Sequence, residues 1–289
     1  MYYYIVDPKN LSQRQFERVQ NQLYSSLSEF RISGEVSRVT ALRSAAQLVL
    51  SAESHRAKNI IAVGSDDTLH DVVNAVPDDE EITIGFIPLQ PSSFGNMLGI
   101  NSISSAVKTI AARRTILLDL GSVIQTKVNQ KTLFLKNLTF GMELKSDLNK
   151  GNLYSFKLIS QLFNLPNIEV NFIGDRKFQG TNTLLGGVVF NSRDQACGSS
   201  FVNPADGVLD VLLLPKLSKY QIFKYRKHLL SECLENIPGV SILHLKKLEI
   251  LGPEGLTLRV GTRVLAKAPA TIQIEPRKLK IIAGRERMF

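Results

Sequence analysis

The N-terminal part of the chain alternates between short apolar runs and segments with apolar residues at helical spacing. "YYYIV" indicates a buried strand, and after Ser12, a suitable helix cap, apolar side chains recur at Phe16, Val19, Leu23 and Leu27. The step repeats in "EVSRVT" and "ALRSAAQLVLSAESHRA", in "NIIAVG" and "DTLHDVVNAV", and ends in "EITIGFIPL". Strands alternating with helices predict a parallel sheet covered on both faces, with ligand loops at the strand carboxyl ends.

From about residue 115 the pattern changes to strands separated by Gly, Asn and Pro turns. "KTLFLKNLTF", "VLDVLLLP" and "TIQIEPRKLKIIAG" are typical of strands, and clear helices are predicted only near residues 153–163 and 219–234. We therefore predict an α/β protein. Residues 1–115 are expected to form a doubly wound, Rossmann-like lobe, with the last segment, about residues 275–289, packing back on it. Residues 116–274 are expected to form an antiparallel β-sandwich lobe.

The charge balance favours an anionic partner. Lys and Arg number 35 against 26 Asp and Glu, a net charge of +9, and residues 241–289 contain ten basic and four acidic residues. Basic residues near the C-terminus, including Arg285 and Arg287, form either a solvated face or a patch facing an anionic membrane surface. Nucleic acid is not expected as a partner, because the chain has no Trp and no basic-aromatic motif typical of RNA-binding platforms.

The cysteines and the N-terminus favour a reducing compartment. Cys197 and Cys233 are too few for a disulfide framework, and the four histidines lack zinc-ligand spacing. One of them, His70, is expected on an exposed helix face. "MYYYIVDPKN" does not resemble a signal peptide, and no apolar run is long enough to span a bilayer. We expect a cytoplasmic protein whose membrane contact, where it occurs, is peripheral at the inner face.

The segment "GSDDT", residues 64–68, links a buried strand to a helix. Such turns bind anions, because free backbone N–H groups and the helix dipole point at the ligand. This turn has one glycine, and Asp66 and Asp67 carry charge that repels phosphate unless a metal intervenes. Ser, Asp and Thr are also good helix caps, so the same pattern fits a plain capping turn.

"VGSDDTLHDVVNAV" resembles the "GGDGTL…VVNGL" segment of the diacylglycerol kinase family, which includes bacterial lipid kinases and sphingosine kinases. "IGFIPLQPSSFGNMLGI" is similar to that family's "PLGTGNDFARALGI", and "TILLDLGSV" to its "IDLG" strand. "FVNPADGVLDVLLL" and "LRVGTRVLAKAPATIQIEPRKLKIIA" resemble its "P.A..DDGLLDV" run and its closing "DGE" hairpin. The resemblance therefore extends over almost the whole chain.

The resemblance implies a nucleotide lobe, a lipid-binding lobe, and transfer of the ATP γ-phosphate to a lipid hydroxyl in the cleft between them. Asp66 matches the acid that is the base in the sphingosine kinase branch, and Asp67 is the expected Mg²⁺ ligand. The positions that match the nucleotide loops are Gly64, Ser65, Asp67, Thr68, Ser92 and Ser93. ATP and Mg²⁺ are thus the implied cofactors, and a lipid or an anionic membrane surface is the implied partner.

The departures from the family pattern fall on residues that the resemblance implies for nucleotide binding and catalysis. Two of three glycines in the first motif are replaced, and Pro91 removes an N–H that could donate to phosphate. The "DGE" triplet aligns with Gly261, Thr262 and Arg263, so both carboxylates are missing and a cation stands at the last position. A Gly-Thr pair between two strands is also what an ordinary hairpin turn requires.

These departures leave three functional alternatives. The first is an active lipid kinase, and the second is an inactive pseudokinase that binds lipid, nucleotide or a protein partner. The third is a nicotinamide-dinucleotide kinase, which shares the "GGDG" turn, although the "NPADGVLDV" run favours the lipid branch.

Other polar residues match the family less specifically. Asp206 and Asp210 match acids of the "DDGLLDV" run, but Asp206 before Gly207 is also an ordinary turn residue. Asp119 matches the end of the "IDLG" strand, and Asn137 matches a short Asn motif.

Overall fold

The computed structural model describes the chain in seven segments: residues 1–9, 11–77, 81–141, 168–174, 179–192, 202–230 and 234–289. The chain divides into two compact units. The first comprises residues 1–119 and 277–289, and the second comprises residues 120–276. The helix predicted near residues 153–163 lies outside the described residues.

The first unit alternates strands and helices along the chain. In order, its elements are β1 (Tyr2–Val6), α1 (Gln13–Glu29), β2 (Gly34–Arg38), α2 (Ala45–Ser54), β3 (Asn59–Gly64), α3 (Asp66–Ala75), β4 (Thr83–Pro88), α4 (Ser93–Met97) and α5 (Ile103–Ala112). Every residue of β1 and β4 is buried, as expected for central strands of a parallel sheet with both faces covered. The N-cap of α1 is Ser12, as predicted, and its side chain accepts a hydrogen bond from the Gln15 N–H.

The strands of the first unit are parallel and lie in the order β2, β1, β3, β4. The end of the last strand of the chain, β15 (Ala270–Ile282), continues this sheet, because Ile281 pairs in parallel with Ile84 of β4. Strand β2 lies on one side of β1 and strand β3 on the other, so the sheet reverses its direction of growth between β1 and β3. In open α/β sheets, ligands bind at the carboxyl ends of the strands that flank such a switch point.

The second unit is built mainly from antiparallel strands. Its elements are β5 (Thr115–Gln125), which begins in the first unit, β6 (Gln130–Phe134), β7 (Leu138–Phe140), β8 (Ile168–Gly174), β9 (Gln179–Phe190), β10 (Leu209–Pro215), α6 (Lys219–Lys224), α7 (Arg226–Leu230), a 3₁₀ helix (Leu234–Asn236), β11 (Ser241–Leu245), β12 (Lys247–Gly252), β13 (Thr257–Val260), β14 (Arg263–Lys267) and the start of β15.

The strands of the second unit run in the order β14, β13, β7, β9, β8, β12, β15, while β10 pairs with β9 and β11, and β5 pairs with β6 and β15. Alternate residues of β10 point to opposite faces. Val211 and Leu213 contribute to the main apolar core of the strands, whereas Leu212 and Leu214 belong to a second cluster with Ile222. The fold class is therefore as predicted, an α/β lobe with a parallel sheet followed by an antiparallel lobe.

The helix predicted over residues 219–234 differs from the structure, which has two short helices, α6 and α7. The break lies at Tyr225, which ends α6. The Arg226 Nη1 group donates to the Phe223 carbonyl oxygen at 2.7 Å, so a side chain takes a carbonyl that a continuous helix would use for its backbone. No helix among the described residues has the length and apolar character needed to cross a membrane.

Candidate functional site

Three loops meet at the carboxyl edge of the parallel sheet in the first unit. They follow β1, β3 and β4, and their ends are joined by backbone hydrogen bonds. The Asp7 N–H donates to the Val63 carbonyl oxygen at 2.8 Å, and the Leu89 N–H donates to the Gly64 carbonyl oxygen at 3.0 Å. The residues that follow these three strands therefore form one contiguous edge, which includes the switch point between β1 and β3.

Thr68 connects two of these loops through its hydroxyl group. The side chain is buried, and its Oγ1 accepts from the Ser65 N–H at 3.2 Å and donates to Asp7 Oδ2 at 2.9 Å. Asp7 Oδ1 accepts in turn from the Lys9 N–H at 3.0 Å. The predicted nucleotide-binding residue Thr68 thus uses its hydroxyl, as donor and as acceptor, to fix the β1 loop against the start of α3.

Gly64 is required at its position by the close approach of Thr68. A Cβ at residue 64 would lie 2.4 Å from Thr68 Oγ1 and 2.9 Å from Thr68 Cβ, well inside contact distance. Any side chain at residue 64 would therefore displace Thr68 and break its bond to Asp7. The glycine shared with the family motif has a packing function here that is independent of any bound ligand.

Asp66 is the first residue of α3, and its carboxylate is held by the loop after β4. Ser92 Oγ donates a hydrogen bond to Asp66 Oδ1 and accepts from the Gly95 N–H at 2.7 Å. Ser92 is buried and caps α4, so it is a fixed donor. This bond sets the orientation of the Asp66 carboxylate at the sheet edge and joins the turn after β3 to the loop after β4.

Asp67 and Lys9 form the exposed part of the site. The Asp67 and Lys9 side chains are 65% and 60% exposed, and Asp67 Oδ2 lies 4.0 Å from Lys9 Nζ. An exposed pair at this distance contributes about 0–1 kcal/mol, so either group can exchange its partner for a ligand at little cost. Both acids of the turn also lie in the first turn of α3, where the helix dipole favours negative charge.

The adjacent residues Ser92 and Ser93 have different environments. Ser92 is buried and bonded as described, whereas Ser93, the first residue of α4, is exposed. Ser65, the N-cap of α3, is half-buried. All the predicted site residues thus lie at one sheet edge, and among them Ser65 and Asp66 are partly exposed and Asp67 and Ser93 are exposed.

Asp7 and Lys9 also lie at this edge, although they were not predicted as site residues. Both follow the first predicted strand in "YYYIVDPKN", and polar residues directly after a parallel strand are candidates for the ligand edge. That signal was present in the sequence. The partner of Asp7, Thr68, is 61 residues away, and a contact at that separation is not visible in local patterns.

The expectation that His70 lies on an exposed face is wrong. His70 is 7% exposed and lies beside Asn74, whose side-chain amide donates to the His70 carbonyl oxygen at 3.0 Å. The reason is that α3 packs against both β3 and α2, so its buried face is wider than a single apolar stripe.

The "DGE"-like position is a hairpin turn. Gly261 and Thr262 connect β13 to β14, and Gly261 has φ +58°, the left-handed region that glycine adopts without strain. Open space surrounds the position of a Cβ at residue 261. The turn residues fit their backbone, and none of them carries a carboxylate.

Two further acids of the family motifs have structural contacts. Asp206 Oδ1 accepts from the Val208 N–H at 3.1 Å, which is a turn interaction. The buried Asp119 accepts from the Arg277 N–H at 2.7 Å and so anchors the returning C-terminal segment within the first unit. Asn137 Oδ1 is buried and has no hydrogen-bond partner among the described residues.

Asp210 of β10 is buried next to an exposed histidine. His244 Nδ1 on β11 lies 2.5 Å from Asp210 Oδ1. Burial raises the pKa of the Asp210 carboxyl above its ordinary value, and the hydrogen bond and charge of His244 oppose that rise.

The sheet edge of the first unit offers groups that can bind phosphate and a group that can bind Mg²⁺. It offers the N-terminal N–H groups of α3, an exposed ammonium at Lys9, exposed hydroxyls and an exposed carboxylate at Asp67. Ammonium and N–H groups bind phosphate, and carboxylate oxygens bind Mg²⁺. Within the described segments, no group of three or more His, Cys, Asp and Glu side chains is placed to hold a metal ion.

The chain is similar to known kinases in part of its sequence and in its fold. Residues 2–123 match the model of the diacylglycerol kinase catalytic domain. No curated protein matches the chain. A solved diacylglycerol kinase from Bacillus anthracis str. Sterne has a TM-score of 0.74 at 17% identity, over 99% of this chain and 97% of that chain. An NAD kinase from Archaeoglobus fulgidus in complex with ATP has a TM-score of 0.58 at 12% identity, over 100% and 96%. At these identities the two structures establish a shared fold.

Proposed function

We propose that this protein, whose residues 2–123 match the model of the diacylglycerol kinase catalytic domain, transfers the γ-phosphate of ATP to a lipid hydroxyl. The observation that carries the proposal is the Asp66 carboxylate, fixed by Ser92 at the edge of the sheet beside the switch point. An oriented carboxylate at the N-terminus of a helix is suited to accept a proton next to a bound phosphate.

The nucleotide is assigned to the edge formed by Lys9, Ser65 and Ser93. The N–H groups at the start of α3 and the Lys9 ammonium supply positive charge, and the two serine hydroxyls supply donors. Thr68 and Gly64 stabilise this edge, because their packing holds the β1 loop in place.

Asp67 is assigned as the Mg²⁺ ligand. Its carboxylate is exposed and paired only loosely with Lys9, so it can turn toward a cation. Mg²⁺, when bound with ATP, neutralises phosphate charge. This assignment accounts for a carboxylate in a turn that otherwise favours an anion, since Asp67 then binds the metal that accompanies the triphosphate.

Asp66 is assigned as the general base. Its carboxylate would accept the proton of the lipid hydroxyl, and the hydrogen bond from Ser92 orients it for that step. A base held in position contributes typically about 10²–10⁴ in rate. A lipid substrate also requires peripheral contact with a membrane, for which we propose the anionic inner face.

A second candidate function is a non-catalytic relative that binds lipid, nucleotide or a protein partner. The observation that favours it is the hairpin at Gly261, where the family's "DGE" acids are replaced by Gly261, Thr262 and Arg263. A phosphate transfer that depends on acids at this position could not take place in this chain.

Labelled ATP separates the two candidates. The purified protein, incubated with γ-labelled ATP, Mg²⁺ and a total lipid extract, should produce a chloroform-soluble labelled product. Asp66→Asn should reduce the initial rate by about 10²–10⁴ while Mg-ATP binding is retained. The matched control is Asp71→Asn, which changes another acid of α3 and should leave the rate unchanged.

Two other results of the labelled-ATP assay would count against the proposed reaction or against its proposed base. Mg-ATP binding without any labelled lipid would support the non-catalytic candidate. A labelled product that Asp66→Asn forms at the wild-type rate would refute Asp66 as the base.

A further inference from the structure

The segment from Lys216 to Leu230 of the second unit presents an unusual outer surface. It comprises the loop after β10 and the helices α6 and α7. We call its exposed part the aromatic-basic surface, and it is formed by Lys216, Lys219, Tyr220, Phe223, Lys224 and Lys227.

The inner face of this segment is fixed by packing. Leu217, Ile222 and Leu229 are 6%, 5% and 0% exposed and belong to the apolar cluster on the outer side of β9 and β10. At 100° per residue, Tyr220 lies nearly opposite Ile222 on α6, and Phe223 is its i+3 neighbour. Both aromatic side chains must therefore point away from the core.

The exposure of these side chains agrees with that geometry. Tyr220 is 74% exposed and Phe223 is 49% exposed, although both carry large apolar areas. They lie one turn apart on the same helix face, so they form one apolar patch with a hydroxyl at one end.

The charge along this segment of the chain has a single sign. No Asp or Glu occurs between residues 211 and 231, whereas Lys216, Lys219, Lys224, Arg226 and Lys227 fall within that stretch. In the described part of the chain, no ion pair involves any of these five residues. Lys224 lies over the ring of Tyr225, and Arg226 lies over that of Phe223, at 5.3 and 4.4 Å from the ring centres.

Helix α1 lacks this combination of exposed aromatic side chains and charge of one sign. Tyr24 on α1 is 44% exposed, but α1 also carries Glu17 and Glu29 among its basic residues. A helix face that carries an aromatic side chain among charges of both signs is an ordinary solvated face. The surface on α6 and α7 differs because aromatic exposure and unopposed positive charge coincide.

We infer that the aromatic-basic surface docks this protein on an anionic lipid bilayer. Exposed Tyr and Phe side chains favour the bilayer interface, and lysines with long apolar stems place their ammonium groups at the headgroups. Unopposed cations near an anionic surface add electrostatic attraction. The inference goes beyond the proposed reaction, because a non-catalytic lipid-binding protein would use the same surface.

A bilayer fits this surface better than a nucleic acid does. Bases stack on open aromatic faces, and the Arg226 guanidinium covers one face of the Phe223 ring, which reduces the area open to stacking. Insertion between lipid headgroups requires no open ring face. Charge complementarity and the aromatic patch together therefore favour a lipid surface.

A single tryptophan provides a direct test, because the chain contains none. Tyr220→Trp places the only indole on the aromatic-basic surface, and Tyr24→Trp is the matched control on α1. With vesicles of equal parts phosphatidylcholine and phosphatidylglycerol, Tyr220→Trp should shift its emission to shorter wavelength and Tyr24→Trp should not. Phosphatidylcholine vesicles should give no shift, and 1 M salt, where the Debye length is about 3 Å, should weaken the response.

Vesicle flotation measures the contribution of each group. Lys219→Gln combined with Lys224→Gln should weaken binding to anionic vesicles by about 25-fold, at about fivefold per charge. Tyr220→Ser combined with Phe223→Ser should weaken it by about tenfold or more. The control, Tyr24→Ser with Lys108→Gln, should bind like wild type. All the variants keep the buried residues of α6 and α7, and thermal melts verify that they fold.

Several results would overturn the inference. These are no shift of Tyr220→Trp with anionic vesicles, an equal shift with neutral vesicles, or a shift with a single-stranded oligonucleotide and none with vesicles. Loss of flotation in Arg285→Gln with Arg287→Gln, without loss in the α6 variants, would assign docking to the C-terminus instead. A protein that docks on vesicles but does not phosphorylate detergent-solubilised lipid would refute the proposed reaction and leave this inference intact.

Discussion

At the scale of single residues, the motif shared with the diacylglycerol kinase family is maintained partly by packing. Gly64 is required because Thr68 approaches within 2.4 Å of where a Cβ would stand, and Thr68 is required because it bonds Asp7 and Ser65. Asp66 and Asp67 have different environments. Ser92 fixes the Asp66 carboxylate, whereas the Asp67 carboxylate is exposed. Neighbouring residues of one motif thus have different structural environments.

Substitution of Thr68 tests the packing function. Thr68→Val keeps the shape but removes both hydrogen bonds, so the unfolding free energy should fall by about 1–3 kcal/mol. Thr68→Ser keeps the hydroxyl and should lose about 0.8 kcal/mol for the missing methyl group. Urea unfolding at neutral pH measures both changes. Equal losses for the two variants would mean that the hydroxyl does not hold the β1 loop.

The buried Asp210 gives the protein a measurable pH dependence. Burial raises its folded-state pKa above the ordinary value of 3.8, so protonation favours the folded state. This stabilising contribution is complete below the ordinary pKa and is lost as the pH rises through the raised folded-state pKa. The unfolding free energy of wild type minus that of Asp210→Asn should therefore increase as the pH falls from neutral toward 4. A difference that is constant with pH, or that decreases, would show that burial does not control this carboxyl.

At the scale of secondary-structure elements, the periodic pattern of the sequence was sufficient to predict the alternation of strands and helices in the first unit. It also placed the cap of α1 and the turn before α3. The pattern gave wrong predictions where interactions other than the hydrophobic periodicity determined the structure. Arg226 bonds the Phe223 carbonyl where the predicted second-lobe helix is interrupted, and packing of α3 on two neighbours buries His70.

The start of α4 provides a test at this scale, because Ser92 and Ser93 are adjacent and differ in environment. Ser92→Ala removes the cap of α4 and the donor to Asp66, so stability should fall by about 1 kcal/mol and kcat should fall without a change in the KM for ATP. Ser93→Ala should leave stability unchanged and raise the KM for ATP about two- to tenfold, the value of one hydrogen bond.

Thermal melts and steady-state kinetics on the same two variants provide the measurement. If both substitutions changed kcat and stability alike, the separation of a positioning serine from a ligand-binding serine would be wrong.

At the scale of the whole molecule, the two-lobe fold and the family resemblance were predictable because the motifs recur in order along the chain. The composition of the site was predictable in part. Residues 64–68 and the two serines were identified from local motifs, but Asp7 and Lys9 were not, since their place at the site depends on β1 lying beside β3. That pairing is a property of the sheet topology, and it brings together residues about 60 positions apart.

The sheet topology also accounts for the two consecutive carboxylates. One of them, Asp66, is held by Ser92 and is our proposed base, and the other, Asp67, faces solvent, where we propose that a metal-bound triphosphate enters. Our central claim is that this turn accepts ATP through Mg²⁺ and that Asp67 makes this possible.

The most direct test of this claim is a calorimetric titration of ATP, with and without Mg²⁺, into wild type and Asp67→Asn. We predict that wild type binds ATP only when Mg²⁺ is present. In Asp67→Asn the Mg²⁺ requirement should be weaker, because the repelling charge and the metal ligand are both removed. Wild-type protein that does not bind Mg-ATP at all, or that binds metal-free ATP equally well, would contradict the claim.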